Sequence, residues 1–176
     1  MKKNFKKTML GACLIAASFT AKAQDVSNAI KVNPLGLLFG TANATYELKV
    51  GEKSSVGINL LYSSFKFAGI KYSSVGGGAE YRYYFSEDPL EGWYLGAAAG
   101  YQVGKLDFTG TEFKYNAISV GAIGGRQWVW NSGILIDLGL TCGYVNIGYE
   151  DNIGNTTGLK ASGVGVGGRF AIGYAF

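Results

Sequence analysis

From Lys160 to Phe176 the chain alternates. Val164, Val166, Gly168, Phe170, Ile172, Tyr174 and Phe176 fall on one parity, and Gly163, Gly165, Gly167, Arg169, Ala171, Gly173 and Ala175 on the other. A period of two predicts a strand. A soluble strand usually turns its bulky apolar side chains inward. Here the single charged residue shares its face with glycine and alanine. The large apolar face is therefore expected to meet lipid and the small face an enclosed interior.

The same alternation predicts seven earlier strands. Ala29 to Phe39 reads as the first, with a bulge or face switch at Pro34, which cannot donate to a ladder. A short Gly40-Thr41-Ala42 link leads to the second, with Ala44, Tyr46, Leu48 and Val50 opposite Thr45, Glu47 and Lys49. Ser55–Ser63, Ser73–Phe85, Trp93–Val103, Tyr115–Trp130 and Ile134–Val145 follow, before the last strand from Lys160. No helix period of useful length competes with them. Gly51-Glu52-Lys53, the segment Ser86 to Gly92, and Asn131-Ser132-Gly133 are tight or strongly broken connections, whereas Phe67–Tyr72, Lys105–Lys114 and Asn146–Leu159 read as looser loops. Short turns at one end and longer loops at the other suit an all-β fold: a single antiparallel up-and-down transmembrane β-barrel of eight strands. The first connection is short and fits that alternation least well.

Tyr81, Tyr83, Phe85, Trp93, Trp128, Trp130, Tyr174 and Phe176 all fall near the short turns on the apolar parity of their strands. They are expected to form an aromatic girdle at the periplasmic interface. The opposite parity gathers Glu47, Glu80, Arg82, Asp137 and Arg169. The interior of an eight-stranded barrel is narrow enough for side chains to fill, and an unpaired charge there is costly. A salt-bridged interior network is the expectation, ahead of a gated pore or a catalytic carboxylate pair. The face of Lys31 stays open. Arg126 shares the aromatic parity of Trp128, so either a bulge turns it inward or it snorkels to the interface.

The first residues stand apart. Lys2, Lys3, Lys6 and Lys7 precede an apolar run from Thr8 to Thr20, and Ala21-Lys22-Ala23 fits a cleavage site. Residues 1–23 read as a cleaved signal peptide, and 24–176 as the barrel. Leu10-Gly11-Ala12-Cys13 has the look of a lipoprotein site, but its apolar stretch follows Cys13 instead of preceding it. Over the whole chain 16 basic residues face 12 acidic ones, but the signal holds five lysines, so the remainder has 11 against 12 and a net charge of −1. The basicity belongs to the leader and does not point to nucleic acid. Cys142 is the one cysteine left, which excludes an intrachain disulfide in the mature chain.

Little catalytic chemistry is available. The chain has no histidine, which removes Ser-His-Asp hydrolysis and imidazole bases. Gly163 to Gly168 matches GxGxxG in letters but continues as a strand, where a dinucleotide site needs a helix next. Glu150-Asp151-Asn152 and Asn155 lack calcium-loop spacing and read as a solvated loop. Asn43-Ala44-Thr45 and Asn155-Thr156-Thr157 match a glycosylation acceptor, without meaning in the inferred compartment. The expectation is no enzyme, no cofactor and no metal.

The eight alternating strands, the signal, the ending Ala171-Ile172-Gly173-Tyr174-Ala175-Phe176 and the segment Gly78-Ala79-Glu80-Tyr81-Arg82-Tyr83-Tyr84-Phe85 resemble small outer-membrane β-barrels of the OmpA/OmpX type, and especially the Gram-negative barrel families of unassigned function. The resemblance implies an outer-membrane location in a Gram-negative bacterium, contact with outer-membrane lipid and lipopolysaccharide, and a monomer. It implies that Ile172, Tyr174 and Phe176 form the signal read by the barrel-assembly machinery. It also implies that the peptidoglycan-binding domain of long OmpA relatives is absent. The function expected is a structural barrel with a side-chain-filled polar interior, serving envelope integrity or surface interaction. The alternatives are a secreted lipocalin-like binding barrel, a narrow porin-like pore and a lipid-acting barrel enzyme.

Overall fold

The structure, a computed structural model, describes residues 26–67, 69–87, 90–108, 111–150 and 156–176. The expected signal peptide lies outside them, as do Asp151, Asn152 and Asn155. The elements are β1 (Asn28–Val32), α1 (Pro34–Leu38), β2 (Thr41–Lys49), β3 (Ser54–Phe67), β4 (Ile70–Tyr84), β5 (Gly92–Phe108), β6 (Thr111–Val129), β7 (Ile134–Glu150) and β8 (Thr156–Ala175). Each strand pairs antiparallel with its chain neighbours, and β8 returns to β1 to close the barrel. The fold is thus all-β, eight-stranded and up-and-down, as the alternation predicts. Among the described residues no helix is long and apolar enough to cross a membrane.

The two faces of the wall have opposite chemistry. Ile58, Leu60, Leu95, Ile118, Val120 and Leu140 stand outward, and Leu60 and Leu140 are 66% and 71% exposed. Lys31, Glu47, Arg82 and Asp137 point inward and have no exposed side-chain surface. Burial here follows the charged residues, the reverse of an ordinary globular core.

Two expectations need correction. The first strand stops at Val32 and does not run on through a bulge. Asn33 caps a one-turn helix by accepting from the Gly36 backbone N–H at 3.0 Å, and Pro34 sits in its first turn, where a missing N–H costs nothing. Gly40, at φ +74°, ends the helix in the left-handed conformation that glycine adopts freely. Thr41 and Ala42 then belong to β2 instead of a link.

The looser loops are mostly strand. β3 and β4 remain paired out to Phe67 and Ile70, and β5 and β6 out to Phe108 and Thr111. β7 and β8 likewise take up much of 146–159. Toward the hairpins the alternation of these ribbons reverses phase. Phe65, Tyr72, Leu106, Phe113 and Tyr115 take the parity that is polar or small inside the barrel, and Lys66, Lys71, Lys105, Asp107, Glu112 and Lys114 take the other, so the stripe that marks each strand in sequence is broken there. Charges pair across them instead, Lys71 with Asp107 at 3.1 Å and Lys105 with Glu112 at 2.9 Å. The barrel therefore has a turn end, with residues 50–53, 85–87, 90–91 and 130–133 and the β8 terminus, and a hairpin end with α1 and the projecting ribbons.

Candidate functional site

Toward the turn end the interior is solid. Every strand sends at least one polar side chain into it: Lys31, Glu47, Ser55, Arg82, Tyr94, Gln127, Asp137 and Arg169, from β1 to β8 in order. Lys31 ion-pairs with Glu47, lies 3.2 Å from Asp137 and donates to Gln127 Oε1 at 2.9 Å. Arg82 lies 2.7 Å from Glu80, 2.9 Å from Asp137 and 3.6 Å from Glu47. Its guanidinium also stacks over the Tyr94 ring, 4.2 Å from the centroid. Arg169 donates to both Glu80 oxygens, at 2.6 and 3.1 Å, and reaches Asp137 at 3.3 Å.

Hydroxyls complete the acceptors. Tyr84 and Ser55 donate to Glu47, and Tyr94 donates to Asp137 at 2.8 Å. Three cations meet three carboxylates, so the cluster is neutral. A buried pair repays its desolvation only with good geometry and satisfied polar groups. The carboxylates here are each held by cations and neighbouring donors, while Arg82 Nη2 and Arg169 Nε lie close to carboxylates without a hydrogen bond.

The five charges singled out from sequence, Glu47, Glu80, Arg82, Asp137 and Arg169, are all brought together. Lys31 joins them, which settles its face. Ser55, Tyr84, Tyr94 and Gln127 were missed because uncharged residues carry no charge signal. The available clue for the tyrosines is that each falls on the inward parity of its strand, Tyr84 next after Glu80 and Arg82 and Tyr94 ahead of Gly96 and Ala98.

Small neighbours make room for this cluster. Gly57 is opposite Glu80, and a Cβ there would lie 2.7 Å from Glu80 Cγ. Gly125 and Gly139 are paired across β6 and β7, and a Cβ on either would lie 2.7 Å from the Tyr94 hydroxyl.

The turn end is closed below the network. Leu90, in the 85–91 connection, is fully buried against Ala29, Leu135 and Ala175. It holds φ +73°, an uncommon conformation for a non-glycine residue. The Gln127 side-chain amide donates to its carbonyl, tying the stopper to the network.

Above Glu80 and Arg169 the barrel is hollow. A cavity of about 450 Å³ is lined by Asn33, Asn43, Asn59, Ser119 and Thr141 and by glycines of the far wall. Gly121, Gly143 and Gly165 lie side by side across β6, β7 and β8. The expected side-chain filling therefore holds for one half of the barrel only. Asn43 of the acceptor-like motif lines this space, and Thr45 is buried inside the wall. Nearer the hairpins, Tyr115 donates to Tyr72 at 2.6 Å and Gln102 donates to both hydroxyls.

On the outer wall, the eight aromatic residues of the expected girdle cluster around the turn end. Tyr83 and Phe85 meet edge to face at 5.7 Å, and Tyr174 stacks with Phe176 at 6.4 Å. No bulge turns Arg126 inward; β6 keeps continuous register with both neighbours there. Its guanidinium lies 5.1 Å from the Trp128 ring centroid and 5.6 Å from that of Trp93. Ile172 and Tyr174 lie in β8, and the Phe176 backbone carbonyl accepts from Ser27 and Asn28 at 3.1 and 2.9 Å.

The arrangement offers rigid, neutral packing. Every carboxylate is engaged by cations, and Ser55, the hydroxyl against Glu47, is fully buried beneath the plug. No curated protein and no solved structure matches the chain. Residues 9–175 match the family described as protein of unknown function (DUF3575), and the chain belongs to that family.

Proposed function

We propose that this DUF3575 member is a small outer-membrane β-barrel of the OmpA/OmpX type. In this reading residues 1–23 are a cleaved export signal. The barrel spans the outer membrane of a Gram-negative cell as a monomer, and its role is structural and not enzymatic. The observation that carries the reading is the inverted wall. Large apolar side chains cover the outside, where water would be a poor solvent for so continuous a patch. The charges are neutralised inside, as in a barrel whose solvent is lipid.

Three further features support it. Strands β3 to β8 are all longer than the ~9–11 residues a tilted transmembrane strand requires. The aromatic residues ring the turn end, where amphipathic rings favour a membrane interface. Arg126, laid across two tryptophans, can extend its charge to headgroups from there. The turn end then faces the periplasm, and the hairpins stand outside the cell as surfaces for contact. Ile172, Tyr174 and Phe176 form the assembly signal, presented on the last strand.

The test is fractionation with heat-modifiable gel mobility. The protein is expected in the outer-membrane fraction, with a mobility shift on boiling. Recovery in the periplasmic supernatant without a shift would favour the lipocalin-like alternative. Planar bilayers are expected to stay silent, because the Leu90 stopper and the network fill one half of the tube; steady conductance would favour the pore.

A further inference from the structure

The first and last strands are badly matched in length. β1 has five residues and β8 has twenty. They pair at only four positions, from Ala29↔Ala175 to Val32↔Ile172. Past Ile172, toward the hairpin end, β8 has β7 on one side and, among the described residues, no strand on the other. Helix α1 stands in the place a longer β1 would take.

That seam is hollow. A cavity of about 460 Å³ lies between α1 and the β7–β8 wall, lined by Leu35, Gly36, Phe39, Leu138 and Phe170 among others. It shares Asn33, Gly168, Arg169 and Phe170 with the interior cavity, so the two spaces border the same stretch of β8. Gly168 leaves the passage unobstructed, since a Cβ added to it would meet nothing within 4 Å.

The chemistry changes along the passage. Its outer side is apolar, and the α1 flank continues it with Leu38 and Phe39, 78% and 75% exposed. Its inner side is polar and carries no net charge: Arg169 donates to both Glu80 oxygens at its base, and Asn33, Asn43, Asn59, Ser119 and Thr141 offer neutral hydrogen bonds. Among the described residues no strand pairs with this edge of β8, which leaves its backbone groups facing the seam. In hydrocarbon such groups need a partner, because lipid tails supply none.

We propose that the seam is a lateral portal that admits a single-chain amphiphile with an uncharged, hydrogen-bonding head. The head enters the interior cavity and bonds to the asparagines and to the β8 edge. The alkyl chain stays in the passage against Leu35, Phe39 and Phe170 and continues into the bilayer. Both spaces fall in the ~300–1,000 Å³ range of small-molecule sites. The proposal rests on the membrane-spanning reading above and assigns its occupant.

The test uses the full barrel in phosphatidylcholine nanodiscs and electron paramagnetic resonance of two nitroxide-labelled probes, a twelve-carbon monoglyceride and a twelve-carbon fatty acid. The monoglyceride is expected to show an immobilised component that saturates at one per barrel. Gly168→Phe, which fills the passage from the outer side, should weaken it at least tenfold. Leu35→Ala should weaken it several-fold without adding bulk. Gly124→Phe, the same bulk on the outer face of β6, should leave it unchanged.

Absence of a saturable component, or equal responses of G168F and G124F, would overturn the portal. Tighter binding of the fatty acid would overturn the neutral head. A dimer that G168F disrupts without altering probe binding would assign the seam to a second copy instead. Heat-modifiable mobility separates the two readings: a shifting barrel that binds nothing loses the portal alone, whereas a protein that never enters membranes loses the spanning reading itself.

Discussion

The two halves of this tube share strands β2 to β8, yet one is filled with side chains and the other hollow. Toward the turn end, Lys31, Glu47, Arg82, Tyr84 and Tyr94 point inward. Toward the hairpin end the same parity of the far wall carries Gly121, Gly143 and Gly165. An eight-stranded barrel encloses space that side chains can just fill, so the size of the inward residue decides between plug and cavity. The halves should therefore differ in how much stability a single substitution removes.

The largest effect is expected at Arg82. Its guanidinium contacts Glu47, Glu80 and Asp137 and lies over Tyr94. Arg82→Met would leave three buried carboxylates sharing two cations. Removing one partner of a buried pair costs about 3–5 kcal/mol. Urea unfolding in lipid, followed by tryptophan emission, should show a loss of that size. An unchanged midpoint would mean that the two halves are energetically alike.

Leu90 comes next. It buries its whole side chain under the network. Leu90→Ala should cost about 2–4 kcal/mol as a cavity-forming truncation in the same unfolding measurement. A loss below that range would mean that the 85–91 connection collapses to refill the space, and that the stopper is less rigid than its packing implies.

Arg169 sits on the boundary between the halves, with 18% of its side-chain surface exposed. Arg169→Ala would strip Glu80 of two hydrogen bonds while Arg82 still holds it. A loss of about 1–3 kcal/mol is expected, smaller than for Arg82 because water can reach the vacated position. An unchanged melting point would remove Arg169 from the network.

What could be read from sequence divides along the same line. Strand number, parity and the five charges were legible because one face of each strand is apolar and the other is not. Lys31 was not, because Pro34 blurred where the first strand ends, and parity cannot be counted across a break. Leu90 lies in a connection with no period, so nothing marked it as buried. The ribbon extensions were missed because their apolar stripe changes parity where they leave the barrel, as at Phe65 and Tyr72, so it does not continue the stripe of the wall. The cavity was hidden for another reason: a glycine tells where space is left but not whether a neighbour fills it. Gly57 and Gly125 make room for side chains, whereas Gly165 has only the edge of Val145 near it, at 4.0 Å.

The smallest effect sharpens the contrast. Thr141 faces the cavity from β7, and its hydroxyl belongs to no ion pair. Thr141→Val keeps the shape and β-branching and removes one hydroxyl that solvent can replace. Substitutions away from packed or charged features usually fall within about ±0.5 kcal/mol, and this one should too. A loss approaching that of Arg169→Ala would show that the hydroxyl does structural work, and hence that the hollow half is held by an ordered polar lining. With stability unchanged, the threonine is left to whatever enters the cavity. Its substitution should then weaken amphiphile binding in the nanodisc measurement while leaving the fold intact, a separation that no residue of the solid half can give.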